Sequence, residues 1–303
     1  MALTECQKRL IEAVYKSDLH TAKKAALACV AEDTSKKNEW WCGVYQKYLS
    51  NTPTFLAVPP NLEHMLVSED LSQTFQEDRY FLSEREQALY NHIARMRTAN
   101  EELSRRNIRY MNSALLYGPS GTGKTTFGQY LAYQMKLPFV YLNFSSLVDS
   151  LMGKTSQNIS RAFRFIKENA CVFMIDEIDT ISTRRDKAGT GPDNEMTRIT
   201  VTLMQELDKL SNEHIVLAAT NRIDMIDEAL LRRFSKKHEV QILNETEKFQ
   251  MVTKYLDAVD VSYGPENVKV YCDQNPQKPQ SQIINEVNEA IVHSIAENTP
   301  FAL

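Results

Sequence analysis

The chain has 303 residues, 43% of them hydrophobic, with 35 basic against 39 acidic side chains for a net charge of −4. A chain of this size buries roughly 75% of its unfolded surface, so a full core needs no disulfide or metal staple. The charge balance argues against a histone-like or polybasic nucleic-acid binder. The five cysteines, Cys6, Cys29, Cys42, Cys171 and Cys272, form no CxxC pair and no zinc-spaced cluster, which fits a reducing cytoplasm. Glu5, Lys8, Arg9 and Glu12 interrupt any signal-peptide core, and no apolar run reaches about 18 residues, so neither secretion nor a membrane span is expected.

Residues 4–31 repeat apolar positions at helical spacing, Leu10, Ile11, Val14 and then Ala22, Ala25, Ala26, Cys29, Val30, with a break near Ser17-Asp18. This spacing predicts two short helices. A third segment, Asn38 to Leu49, carries Trp40, Trp41, Val44, Tyr45 and Tyr48 ahead of the turn Ser50-Asn51-Thr52-Pro53. Its aromatics are expected mostly in a core, with a partner-docking patch as the alternative. Residues 1–60 thus read as an N-terminal helical region for recruiting a partner or substrate, and 61–84, after Pro59-Pro60, as a linker.

An amphipathic stretch from Leu82 to Tyr110 leads into an α/β core over 85–243. Strands are expected at Ala114 to Tyr117, Phe139 to Asn143, Cys171 to Ile175, Ile215 to Ala219 and Val240 to Leu243. Helices alternate with them at Thr125 to Met135, Ser156 to Asn169 and Glu195 to Leu210. Nearly continuous apolar strands separated by helices indicate a mainly parallel sheet covered on both faces. Residues 244–303 read as a small helical lid, with helices at Glu245 to Val259 and Ser281 to Glu297 around an irregular middle.

The chemistry concentrates at the ends of the apolar strands. Gly118-Pro119-Ser120-Gly121-Thr122-Gly123-Lys124-Thr125, followed by Thr126, sits between a strand and a helix start, the context that a GxxxxGK[ST] phosphate loop requires. Small residues let backbone N–H groups face phosphate oxygens, Lys124 supplies a positive charge for the β- and γ-phosphates, and the Thr125 hydroxyl serves Mg²⁺. The strand Cys171 to Ile175 ends in Asp176-Glu177. Asp176 suits the Mg²⁺ shell and Glu177 suits a general base toward the attacking water. The strand Ile215 to Ala219 ends in Thr220-Asn221, where Asn221 either positions that water or caps its own turn. Farther on, the adjacent Arg232 and Arg233 stand just before the closing strand, either solvated or serving a neighbouring subunit.

Together these motifs resemble an AAA+ ATPase over about residues 85–298, in particular the AAA group that includes katanin, spastin and FtsH. The likeness is carried by Gly118 to Thr125, Asp176-Glu177-Ile178-Asp179, Ala219-Thr220-Asn221-Arg222 and Asp227 to Phe234. The resemblance implies an AAA+ P-loop fold with a helical lid, ATP and Mg²⁺ as cofactors, and a homo-oligomeric ring, usually a hexamer. It makes Asn221 a sensor and Arg232 and Arg233 arginine fingers acting on a neighbour. Leu151-Met152-Gly153 stands where the family grips a polypeptide in its pore, with leucine in place of the usual aromatic ring. Asp179, the run Arg184-Arg185-Asp186 and Arg198 would serve ion networks between subunits or merely at the surface, and the loop Lys187 to Asn194 would either line the pore or connect elements. The lid helix starts with Ser281-Gln282-Ile283-Ile284, without the family's usual glycine and without arginine, as in the katanin-like group. The expected activity is ATP-driven remodelling or threading of a protein substrate. No HExxH zinc-protease sequence is present, so a separate protease or effector is the expected partner. A nucleic-acid machine and a nucleotide-gated scaffold are the alternatives.

Overall fold

The computed structural model describes residues 3–15, 19–33, 35–50, 56–142, 155–180, 192–210 and 212–303. Helices α1 (Glu5–Tyr15), α2 (Leu19–Glu32) and α3 (Glu39–Ser50) pack in chain order, α1 on α2 and α2 on α3. Among the described side chains, those buried between them are small: Cys6, Ala13, Ala22, Ala25, Val30 and Cys42. Such residues let helices approach closely and leave no volume for an indole. The expectation of a mostly aromatic core in α3 is therefore corrected. Trp40 is 79% exposed and Trp41 50%, with Trp41 lying against Tyr45 at a ring distance of 4.3 Å.

The stretch 61–84, expected as a linker, contains the strand β1 (Leu66–Glu69), which pairs antiparallel with β3 (Phe139–Leu142). Leu62, Met65 and Leu66 are buried in the core, so this stretch belongs to the α/β unit and is no spacer. Among the described residues β1 and β3 join β2 (Asn112–Tyr117), β4 (Val172–Ile175), β5 (Ile215–Thr220) and β6 (Lys236–Glu239) in one sheet, ordered β1-β3-β4-β5-β2-β6. Every pairing but that of β1 is parallel.

Alternation along the strands splits the core into two layers. Ala114 and Leu116 of β2, Met174 of β4 and Leu217 of β5 face α4 (Glu84–Arg105) and α5 (Lys124–Met135). Leu115, Phe173, Val216 and Ala218 face α6 (Thr155–Glu168) and α7 (Pro192–Leu207). Gly128 sets the approach of α5 to the sheet: a methyl group there would lie 3.1 Å from Phe139 and 3.2 Å from Leu217. The closing strand is not the apolar Val240 to Leu243 but the charged Lys236–Glu239. It is an edge strand, and its exposed lysines discourage further strand addition. The apolar residues just beyond it turn inward, Val240 against the α4 and α5 layer and Leu243 into the lid.

The lid comprises α8 (Glu245–Ala258), α9 (Pro265–Gln274) and α10 (Gln280–Glu297) around Met251, Val252, Leu256, Val268, Cys272, Ile283 and Val287. The middle expected to be irregular thus holds α9, started by Gly264 with Pro265 in its first turn. Lys248 is fully buried, and its ammonium donates to the carbonyls of Asn275 at 2.7 Å and Pro276 at 2.5 Å. That pair of bonds fixes the turn from which α10 departs.

Candidate nucleotide site

Strand register brings the motif residues together. Tyr117 of β2 pairs with Thr220 of β5, and Ile175 of β4 pairs with Ala218, so the chain leaves all three strands at one edge of the sheet. The phosphate loop, the paired acids and Asn221 follow those strands directly, at the edge where parallel sheets bind ligands.

Within the loop, Gly121 has φ +76°, and a methyl group there would lie 2.2 Å from the Ser281 hydroxyl of the lid. Only glycine satisfies both the left-handed backbone and this close approach. The Ser281 N–H donates to the Gly121 carbonyl at 3.0 Å, so the lid helix touches the phosphate loop itself. Lys124 is 8% exposed and opens α5. Its ammonium donates to the carbonyls of Gly118 at 3.0 Å and Pro119 at 2.8 Å, and to Asn221 Oδ1 at 2.7 Å. Burial pushes its pKa below the ordinary lysine value, and Asp176 and Asp179 offset part of that effect.

Thr125 Oγ1 donates to Asp176 Oδ2 at 2.7 Å, so the two expected Mg²⁺ ligands are already adjacent. A hydroxyl and a carboxylate are hard oxygen donors, the kind that suit Mg²⁺ when phosphate oxygens complete the shell. Glu177 takes φ +50°, an uncommon conformation for a residue with a side chain, and is exposed. Asp176 Oδ1 accepts its N–H at 2.8 Å, and the Thr180 N–H and hydroxyl both donate to its carbonyl at 2.9 Å. These bonds hold the strained turn after β4, on which the two acids follow one another.

Ser120, Gly121, Thr122, Gly123, Lys124, Thr125, Thr126, Asp176, Glu177 and Asn221 line one cleft of about 570 Å³. This volume lies in the range of small-molecule and cofactor sites. The opposite wall was not legible in the sequence: Arg79, Tyr80 and Phe81 come from the stretch before α4, and Met251, Tyr255 and Ile284 come from the lid. Tyr80 is held by Phe75 and Tyr130, at ring distances of 5.7 and 4.9 Å. On this wall Arg79 Nε and Gln280 Oε1 are buried without a protein partner, while Gln280 Nε2 donates to the Gln241 carbonyl at 3.0 Å. One free donor and one free acceptor beside apolar and aromatic side chains fit the edge and faces of a heterocyclic base.

Asp179 has a definite place: its carboxylate accepts from Thr220 Oγ1 at 2.8 Å, and that oxygen accepts from the Arg222 N–H at 2.8 Å. Thr220 therefore ties the acidic turn after β4 to the turn carrying Asn221. Arg232 and Arg233 do not line this cleft. Arg198 is exposed on α7. Leu151, Met152 and Gly153, with Arg184, Arg185, Asp186 and residues 187–191, lie outside the described residues.

Residues 114–242 match the family model described as "ATPase family associated with various cellular activities (AAA)", and over this stretch the fold is that of an AAA+ domain. The chain is 33% identical over 192 residues to the 26S proteasome regulatory subunit 6B homolog of Dictyostelium discoideum, a match covering 61% of this chain and 47% of that protein. It is 37% identical to the Saccharomyces cerevisiae protein of the same name, over 50% of this chain and 36% of that one. It is 34% identical to a proteasome-activating nucleotidase of Methanococcus maripaludis, over 48% of this chain and 37% of that protein. The chain thus spans less than half the length of these relatives. Their names refer to the proteasome, and they do not bear on the narrower likeness to katanin, spastin and FtsH. No helix among the described residues is long and apolar enough to cross a membrane.

Proposed function

We propose that the protein hydrolyses ATP in a homo-oligomeric ring, a hexamer, and uses the cycle to unfold and thread a protein substrate. The observation that carries the catalytic half is the convergence of Lys124, Thr125, Asp176, Glu177 and Asn221 on one cleft, with Lys124 bonded to Asn221 and Thr125 to Asp176. The phosphate loop from Gly118 to Thr126 binds the triphosphate, and Lys124 follows the β- and γ-phosphates. Thr125 and Asp176 would hold Mg²⁺, which supplies neutralisation of phosphate charge when bound. Glu177 takes a proton from the attacking water while Asn221 orients it. A guanidinium from the Arg232-Arg233 pair of an adjacent subunit stabilises charge developing on the transferred phosphoryl group.

The mechanical half is supported by the names of the relatives and by the lid's contact with the phosphate loop. Leu151, Met152 and Gly153 would grip the chain being pulled, and a separate protease would receive it. The N-terminal helices would select partner or substrate through the exposed aromatics around Trp40 and Trp41. We place the protein in the cytoplasm, consistent with its free cysteines. The narrower kinship with katanin, spastin and FtsH rests on the run from Asp227 to Phe234 and on a lid helix that starts without arginine.

The test combines phosphate release with unfolding of a fluorescent protein bearing an unstructured tail. Wild type is expected to do both, and Glu177→Gln to bind ATP while doing neither. Turnover unaffected by Glu177→Gln would overturn the catalytic assignment. Turnover stimulated by single-stranded or duplex DNA but not by protein would overturn the substrate class.

A further inference from the structure

Although Arg232 and Arg233 are adjacent, the structure treats them in opposite ways. The Arg232 side chain is 77% exposed, and its ion pair among the described residues is with Glu228 at 3.4 Å, itself 77% exposed. Such a pair holds neither side chain firmly. The Arg233 side chain is 28% exposed and fully engaged. Its Nε and one terminal nitrogen grip both carboxylate oxygens of Asp208 at 3.0 and 2.9 Å. The other terminal nitrogen donates to the Ala229 carbonyl at 2.8 Å and reaches the Met204 sulfur at 3.2 Å. Backbone and neighbours are fixed as well. Ser113 Oγ donates to the Arg233 carbonyl at 3.3 Å, the Ser235 N–H donates to Ser113 Oγ at 3.0 Å, and Phe234 is buried in the core.

Resting on the ring-ATPase reading, we propose that the pair divides the work. Arg232 is the guanidinium delivered to a neighbour's triphosphate, and Arg233 is a positioning residue that clamps the turn carrying Arg232 to the C-terminal end of α7. For Arg233 to reach a phosphate in another subunit it would have to abandon a two-pronged ion pair and a carbonyl bond. Arg232 would leave only a weak surface pair. The clamp also needs arginine specifically, because an ammonium cannot bridge both Asp208 oxygens and the Ala229 carbonyl in one plane.

The experiment measures kcat and KM for ATP, with thermal unfolding, on the full chain under assembling conditions. Arg232→Ala is expected to lower kcat by roughly 10³-fold with KM and the unfolding midpoint unchanged. Arg233→Ala and Asp208→Ala are expected to lower kcat by about 10²-fold through misplacement of Arg232. Arg233→Lys should not rescue. In the Arg232→Ala background neither clamp substitution should cost further turnover, since both act through the guanidinium already removed. Arg232→Ala and Glu177→Gln proteins, each inactive alone, should regain turnover when mixed.

Wild-type turnover in Arg232→Ala, or normal turnover in Asp208→Ala beside an inactive Arg233→Ala, would overturn the division, the latter because Asp208 would then merely park Arg233. Further loss from Asp208→Ala in the Arg232→Ala background would overturn the clamp, and failure of mixing would overturn delivery between subunits. A wild-type chain without ATP turnover would instead defeat the ATPase reading itself.

Discussion

The nucleotide cleft and the N-terminal helices use their sequence in opposite ways. In the cleft, the polar side chains are tied to one another: buried Lys124 has three acceptors, buried Thr220 bridges two turns, and half-buried Thr125 and Asp176 hold each other. In the N-terminal helices, small side chains fill the interior while Ile11, Val14, Tyr15, Trp40 and Trp41 lie on the surface. The first arrangement makes each residue depend on its neighbours. The second leaves the largest of the described side chains with little to do for the fold.

Substitutions can break or sharpen that contrast. The largest effect is expected from Lys124→Ala, which removes the cleft's buried positive charge. ATP turnover should fall by at least about 10²- to 10³-fold, measured as phosphate release, with nucleotide binding weakened alongside. Chelation of divalent cations should likewise stop turnover, with activity returning on addition of Mg²⁺. Gly121→Ala comes next, because a methyl group at φ +76° meets the Ser281 hydroxyl at 2.2 Å. It should lower the thermal midpoint and weaken nucleotide binding measured by a fluorescent ATP analogue, at a cost of roughly 1–3 kcal/mol.

Thr220→Val keeps the shape but removes the bridge between Asp179 and the Arg222 N–H. A loss of about 1 kcal/mol in denaturant unfolding is expected, since the Arg222 N–H and the Asp179 carboxylate each lose a part-buried hydrogen bond. The smallest effect is expected for Trp40→Ala with Trp41→Ala, with folding stability within about 0.5 kcal/mol of wild type and basal turnover unchanged. A large loss of stability there would place the indoles in a core after all and erase the contrast between the regions.

Much of the cleft was legible because its residues follow strands at fixed short spacing. Gly118 to Thr125, Asp176-Glu177 and Asn221 each come directly after an apolar run, and parallel pairing carries all three to one edge. The opposite wall was not legible. Tyr80 and Phe81 carry no motif, and the four-residue β1 was hidden in a stretch announced by Pro59-Pro60. β6 misled for a physical reason: an edge strand exposed to water reads as Lys-Lys-His-Glu, while the apolar residues after it look more strand-like. The tryptophans misled because hydrophobicity reports a preference for burial and does not say whether neighbouring helices leave room.

The hydrogen bond from the Ser281 N–H to the Gly121 carbonyl has a mechanical corollary. The loop proposed to cradle the triphosphate and the first turn of α10 share a joint, so a shift of one loads the other. On the proposed ATP cycle, loss of a phosphate would be felt by the small helical subdomain directly through that joint.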